Sequence, residues 1–294
     1  MRMLFLIGCL FLIFDTPVNA CEQDGKTGIL PENDLWIGPN DKGLNTITKE
    51  EFNQVLDRVI EIYAPIVEAQ GANLIIERKW DDGTVNAYAM RDGNDWRISM
   101  FGGLARHDTI TKDGFALVAC HELGHHIGGP PKKGSYMGTS WASNEGQSDY
   151  FGTSKCLRKY MEGANNIALM KKIKVDPYAT TKCRQTFTTS EDLAMCQRGS
   201  MAGMSLANLF NDLRRNTVKV RFDTPDPKEV RSTYDGHPEP QCRLDTYFSG
   251  AVCEKDHYID FTNDLAQDRE AACTRVEDYQ LGIRPLCWYK PDAA

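Results

Sequence analysis

Apolar residues recur at Phe52, Val55, Leu56, Val59, Ile60 and Tyr63, the spacing that lays one stripe along one face of an α-helix. Thr48, with Glu51 three residues on, makes a capping box, so this helix is expected from residue 48 to about residue 70. The period then drops to two. Three short strands are predicted over residues 73–80, 85–90 and 96–100, divided by the turn signals Asp82-Gly83 and Asp92-Gly93-Asn94. They should pair as an antiparallel sheet. An unbroken apolar run, Phe115 to Cys120, leads into a polar group before Gly128-Gly129 and Pro130-Pro131 stop the segment, as a buried helix would be stopped. Ser143 or Asn144 can cap a further helix. After Tyr160 the chain reads as mostly helical, with a long helix over residues 191–213, a proline-rich loop over 217–241, and helix plus a cysteine-bearing tail from Asp256. The pattern as a whole is α+β: a small antiparallel sheet on two helices, then a mostly helical half.

The polar group at the end of the apolar run is His121-Glu122-Leu123-Gly124-His125. Residues four apart share a helix face, so His121 and His125 can bind one metal ion with two ring nitrogens. Glu122 lies part of a turn away, close to that ion and free to hold a water. Hydrolytic zinc takes three protein ligands and keeps an open position. Asn144-Glu145-Gly146-Gln147-Ser148-Asp149 supplies the rest, with Glu145 as third ligand and Asp149, one turn on, accepting the second N–H of a ligating histidine. The set implies one Zn2+ per chain and hydrolysis by a metal-activated water with Glu122 as general base.

These residues resemble those of gluzincin metallopeptidases. Asn144-Glu145, with Ser148-Asp149-Tyr150-Phe151-Gly152, is similar to the third-ligand helix of thermolysin-type enzymes. The upstream part resembles the HtpX and CAAX-prenyl-protease superfamily, in which a segment of the form Asn-Ala-(Phe/Tyr)-Ala precedes an edge strand, a Gly-Leu pair and the metal helix. Here these are Asn86-Ala87-Tyr88-Ala89, Trp96 to Met100, Gly103-Leu104 and His121 to His125. That branch carries a downstream His-Pro and an arginine, matched in outline by His237-Pro238 and Arg243. The resemblance covers residues 50–160 well and 230–250 loosely. It departs where the HtpX branch places its third-ligand glutamate much later in the chain. The resemblance implies a zincin core over residues 48–160 whose outer strand, Trp96 to Met100, pairs with a peptide or protein substrate. It implies that His237 donates to the oxyanion or occupies the open metal position. It also implies that Arg243 orients a ligand carboxylate or the substrate carbonyl. His126 should point off the metal, and His107 and His257 are read as structural.

Arg2 precedes an apolar run from Met3 to Phe14, followed by Val18-Asn19-Ala20, which reads as a signal peptide over residues 1–20 and an exported protein, periplasmic or extracellular. Residues 21–47 read as an irregular arm, and residues 161–294 as a cysteine-rich half completing the cleft. No later stretch is long enough to span a bilayer. Of ten cysteines, Cys9 leaves with the signal, and the odd number left admits two solutions. Either Cys120 is a free buried thiol, the preferred reading, or Cys21 is the lipid anchor of a lipoprotein and the other eight pair. The formal net charge of −7, without a basic block, excludes nucleic acid as a partner. Two rival functions share the ligand set: a zinc-containing binding or chaperone module that does not cleave, and a metallohydrolase acting on cell-envelope material.

Overall fold

The structure, a computed structural model, describes residues 28–31, 33–41, 47–135, 138–262 and 265–291. The expected signal peptide, Cys21 and part of the N-terminal arm lie outside the described residues. The fold is α+β. Its elements are α1 (Lys49–Glu68), β1 (Asn73–Lys79), β2 (Ala87–Asp92), β3 (Asp95–Phe101), α2 (Gly102–Ala105), α3 (Lys112–Ile127), β4 (Lys132–Ser135), β5 (Gly138–Ser143) and α4 (Glu145–Phe151). A π-helical turn (Gly152–Cys156) follows, then α5 (Leu157–Met161), α6 (Asn166–Met170), α7 (Pro177–Thr186), α8 (Ser190–Leu213), α9 (Pro240–Val252) and α10 (Leu265–Ala271).

Local sequence accounts for the element ends. Thr48 Oγ1 accepts from Glu51 N at 3.2 Å while Glu51 Oε2 accepts from Thr48 N at 3.0 Å, the reciprocal cap expected of α1. Asn144 caps α4 by accepting from Gln147 N at 2.9 Å. Helix α1 buries Phe52, Val55, Leu56, Val59, Tyr63 and Val67. Helix α3 is buried from Gly114 to Ile127 on every side, packed by α1, α4, α8 and the sheet. That enclosure explains why its apolar residues form an unbroken run rather than a stripe.

The sheet corrects the expected pairing. Its order is β1-β3-β2, with β1 parallel and β2 antiparallel to β3, so Trp96 to Met100 lie on the central strand and not on the outside. The Asp82-Gly83 signal does not close a hairpin. Its backbone is taken up by other segments: Gly83 O accepts from Ile37 N at 2.8 Å, and Thr84 O accepts from Leu104 N at 3.1 Å. The loop therefore carries β2 past β3 to the far edge. A Cβ on Gly103 would lie 1.9 Å from Gly83 O, so only glycine permits this approach.

The cysteine reading is also corrected. Cys120 is not free but bonded to Cys156, and the other pairs are Cys183–Cys196, Cys242–Cys287 and Cys253–Cys273. Burial of Cys120 inside α3 did not isolate it, because the π-helical turn after α4 packs directly on α3. Helices α8 and α9 pack on one another, α8 against α3 and α9 against α4. The tail braces α4: Arg284 Nε donates to Gln147 Oε1 at 2.7 Å while its guanidinium pairs with Asp268. Among the described residues, no helix is long and apolar enough to cross a membrane.

Candidate metal centre

His121 and His125 leave α3 on one face with their rings edge-on, centroids 4.8 Å apart. Glu145, in the first turn of α4, faces them: its Oε2 is 3.3 Å from His121 Nε2 and its Oε1 3.8 Å from His125 Nε2. One donor atom from each of the three lies within 4.8 Å of the others. All three side chains, and Glu122 between the histidines, are fully buried.

The remaining atoms of the ligands are committed elsewhere. His121 Nδ1 donates to Asp149 Oδ1 at 2.7 Å. His125 Nδ1 lies 2.8 Å from Ser143 O and 3.0 Å from Ser148 Oγ, so its proton sits on Nδ1 and its Nε2 lone pair faces Glu145. His121 Nε2 and Glu145 Oε2 are buried without a hydrogen bond. Buried polar atoms left in that state cost roughly 1–3 kcal/mol each, which a cation between them removes. The donor set fits a divalent metal ion. A second grouping, Asp226 with Cys242 and Cys287, does not, because its two cysteines form a disulfide.

The electrostatics favour the ligand forms of Glu145 and His125 and oppose that of His121. Burial opposes the charge of Glu145, yet His237 and Lys133 hold its carboxyl well below the usual range. Burial pushes His125 well below the ordinary imidazole value, keeping it neutral. Burial opposes the His121 imidazolium too, but Asp149 and Glu145 outweigh it and raise its pKa to about 9. In the absence of an ion, that proton occupies the position a metal would take.

His237 reaches the cluster from the proline-rich loop, with Nε2 3.4 Å from Glu145 Oε2 and 2.9 Å from Gly28 O. Arg243, in α9, does not touch Glu145. It binds Asp149 through two parallel hydrogen bonds of 2.8 and 2.7 Å, and its Nη1 donates to Ile29 O at 2.9 Å. His126 is off the cluster, as expected, stacked between Trp96 and Trp141 at 5.4 and 4.9 Å. His107 contacts Thr109 and His257 pairs with Glu162, both away from the centre.

Sequence reasoning missed three contributors. Lys133 in β4 places Nζ 3.2 Å from Glu145 Oε1, and nothing in a Pro-Pro-Lys-Lys run announces a buried lysine. Ser143 acts through its carbonyl, which no side-chain pattern reports. Ser148, one turn after Glu145 on a buried helix, was legible in principle as a second polar group on the histidine-facing side.

A scan against protein-family models and searches of curated proteins and of solved structures return no match.

Proposed function

We propose that the protein is an exported, zinc-dependent peptidase of gluzincin type. The observation that carries this reading is the convergence of His121, His125 and Glu145, with Glu122 fully buried between the two histidines along α3. A hydrolytic metal site keeps an open position for water and uses a nearby carboxylate as its base. Zinc bound by His121, His125 and Glu145 would supply Lewis acidity and lower the pKa of a bound water. The protein groups then divide the work. Glu122 takes a proton from the attacking water and passes it to the leaving nitrogen. His237 Nε2 donates to the carbonyl oxygen as charge develops there. Asp149 holds His121 in the tautomer whose Nε2 is free, and Arg243 holds Asp149. The four disulfides accord with an oxidising, exported setting.

The deciding experiment measures metal content and casein cleavage for the wild type and Glu122→Gln. One zinc per chain in both, with cleavage only in the wild type and lost on chelation, is expected. His125→Ala and Glu145→Ala should lose the ion. Zinc in both proteins without cleavage in either would favour the non-cleaving binding module, and no zinc in either would remove the central claim.

A further inference from the structure

The chain lays a peptide of its own beside this centre, against His237 and Arg243. Gly28, Ile29 and Leu30 are buried, and their main-chain atoms are held one by one. Gly28 O accepts from His237 Nε2 at 2.9 Å, Ile29 N donates to Ala87 O at 3.0 Å, and Ile29 O accepts from Arg243 Nη1 at 2.9 Å. Leu30 N donates to Asn86 Oδ1 at 3.1 Å, and Leu30 O accepts from Asn86 Nδ2 at 3.3 Å. These partners grip backbone rather than side chains, and they hold a segment that bends at each of its three residues. The edge used is that of β2, whose first residue is Ala87.

The register singles out one bond. The carbonyl of Gly28 sits on His237, whose Nε2 is also 3.4 Å from Glu145 Oε2, so it lies beside the ligand cluster. The next carbonyl, that of Ile29, is on Arg243, whose other nitrogens are committed to Asp149 behind His121. The nitrogen of Ile29 faces an acceptor, Ala87 O, suited to hold a leaving amine once it gains a second hydrogen. The fit is close: a Cβ on Gly28 would lie 2.1 Å from Ala87 O and 2.5 Å from Asn86 Oδ1. Beyond Leu30 a hollow of about 150 Å³ continues, lined in part by Phe210, Leu213 and Pro238.

We propose that Gly28–Ile29 is a self-cleavage site, hydrolysed by the folded chain in its own cleft. This rests on the hydrolase reading above. Water oxygen bonds to the Gly28 carbonyl carbon, and Glu122 takes the water proton and delivers it to Ile29 nitrogen. The carbon–nitrogen bond breaks, leaving a carboxylate on Gly28 and an amino terminus on Ile29. The same contacts set the preferred substrate: glycine before the cut and a large aliphatic residue after it. Departure of the Gly28 side gives His237 back to incoming peptides.

The test purifies the full chain and its Glu122→Gln and Gly28→Val variants with zinc, and follows intact mass and N-terminal sequence beside casein cleavage. Far-UV circular dichroism checks folding. The wild type should begin at Ile29, at a rate independent of protein concentration, while Glu122→Gln keeps Gly28. Gly28→Val should be cut at least 100-fold more slowly, because its side chain collides with Ala87 O. In metal-free protein the Ile29 and Leu30 amides should be protected from hydrogen exchange. A chain that cleaves casein but retains Gly28 would overturn self-cleavage and leave the hydrolase standing. Ile29 at the terminus of Glu122→Gln, or rapid exchange at both amides, would also overturn it. Failure to cut either substrate would remove both readings.

Discussion

Arg243 grips both carboxylate oxygens of Asp149 at 2.8 and 2.7 Å, across a sequence separation of 94 residues and wholly out of solvent. The pair links the helical C-terminal half to α3, since Asp149 in turn holds His121. The guanidinium also lies 3.9 Å over the Phe210 ring, so its position is set from several sides.

Asp149→Ala should therefore do two separable things. Loss of the contact to His121 should weaken metal affinity by about 10–100-fold in a chelator competition. Loss of the partner of Arg243 should cost about 3–5 kcal/mol in denaturant unfolding of the metal-free protein. Adding Arg243→Met should restore much of the stability and none of the affinity. Recovery of affinity in the double variant would show that Asp149 acts only on folding.

The proton on His121 gives a pH signature. Its folded pKa, about 9, lies above an unfolded value of about 6.5. In metal-free protein it thus contributes stability that is fully present below about pH 6.5 and lost as pH rises through about 9. A metal ion must displace that proton. Binding at pH 7.5 should release about one proton per ion from this site, declining towards none above pH 9. Calorimetry in two buffers of different ionisation enthalpy measures this. Binding without proton release at pH 7.5 would mean that His121 is neutral and poised without the ion.

The Cys120–Cys156 bond closes a loop with a sequence separation of 36 and ties α3 to the turn after α4. Replacing both cysteines by alanine should cost about 4 kcal/mol through the unfolded chain. A domain of this size should then melt roughly 10 °C lower. Zinc affinity should fall as well, because the bond joins the segments that carry the histidines and Glu145. An unchanged melting temperature would mean that packing alone fixes the two helices.

Much of the α-helical frame is legible along the chain because it is local. The Thr48–Glu51 cap, the stop at Gly128 and the Asn144 cap are written within a few residues of the elements they bound, and α8 falls within a residue of its expected span. What the pattern hides is who sits beside whom. Alternation in residues 96–100 reports one covered face and not which strands flank it, and the outer position implied by the resemblance is filled by β2 instead. The apolar setting of Cys120 said that it is buried, and only packing says that Cys156 is beside it. The convergence of His121, His125 and Glu145 followed from helical spacing and one short connection. Gly28–Leu30 lay unnoticed in a polar arm, where a lone Gly-Ile-Leu was its only trace.

His126 turns the description of the centre towards mechanics. Its ring lies within 15° of parallel to both indoles, Trp96 and Trp141, its Nε2 donates to Arg97 O, and burial beside Arg91 drives its pKa to about 3. It therefore stays uncharged above about pH 3, and α3 is keyed like a shaft by a tooth one residue past His125. A small roll of α3 about its axis could move His125 only by dragging that ring from between the indoles. The orientation of the His121–His125 face is thus held in part by a side chain that lies off the cluster.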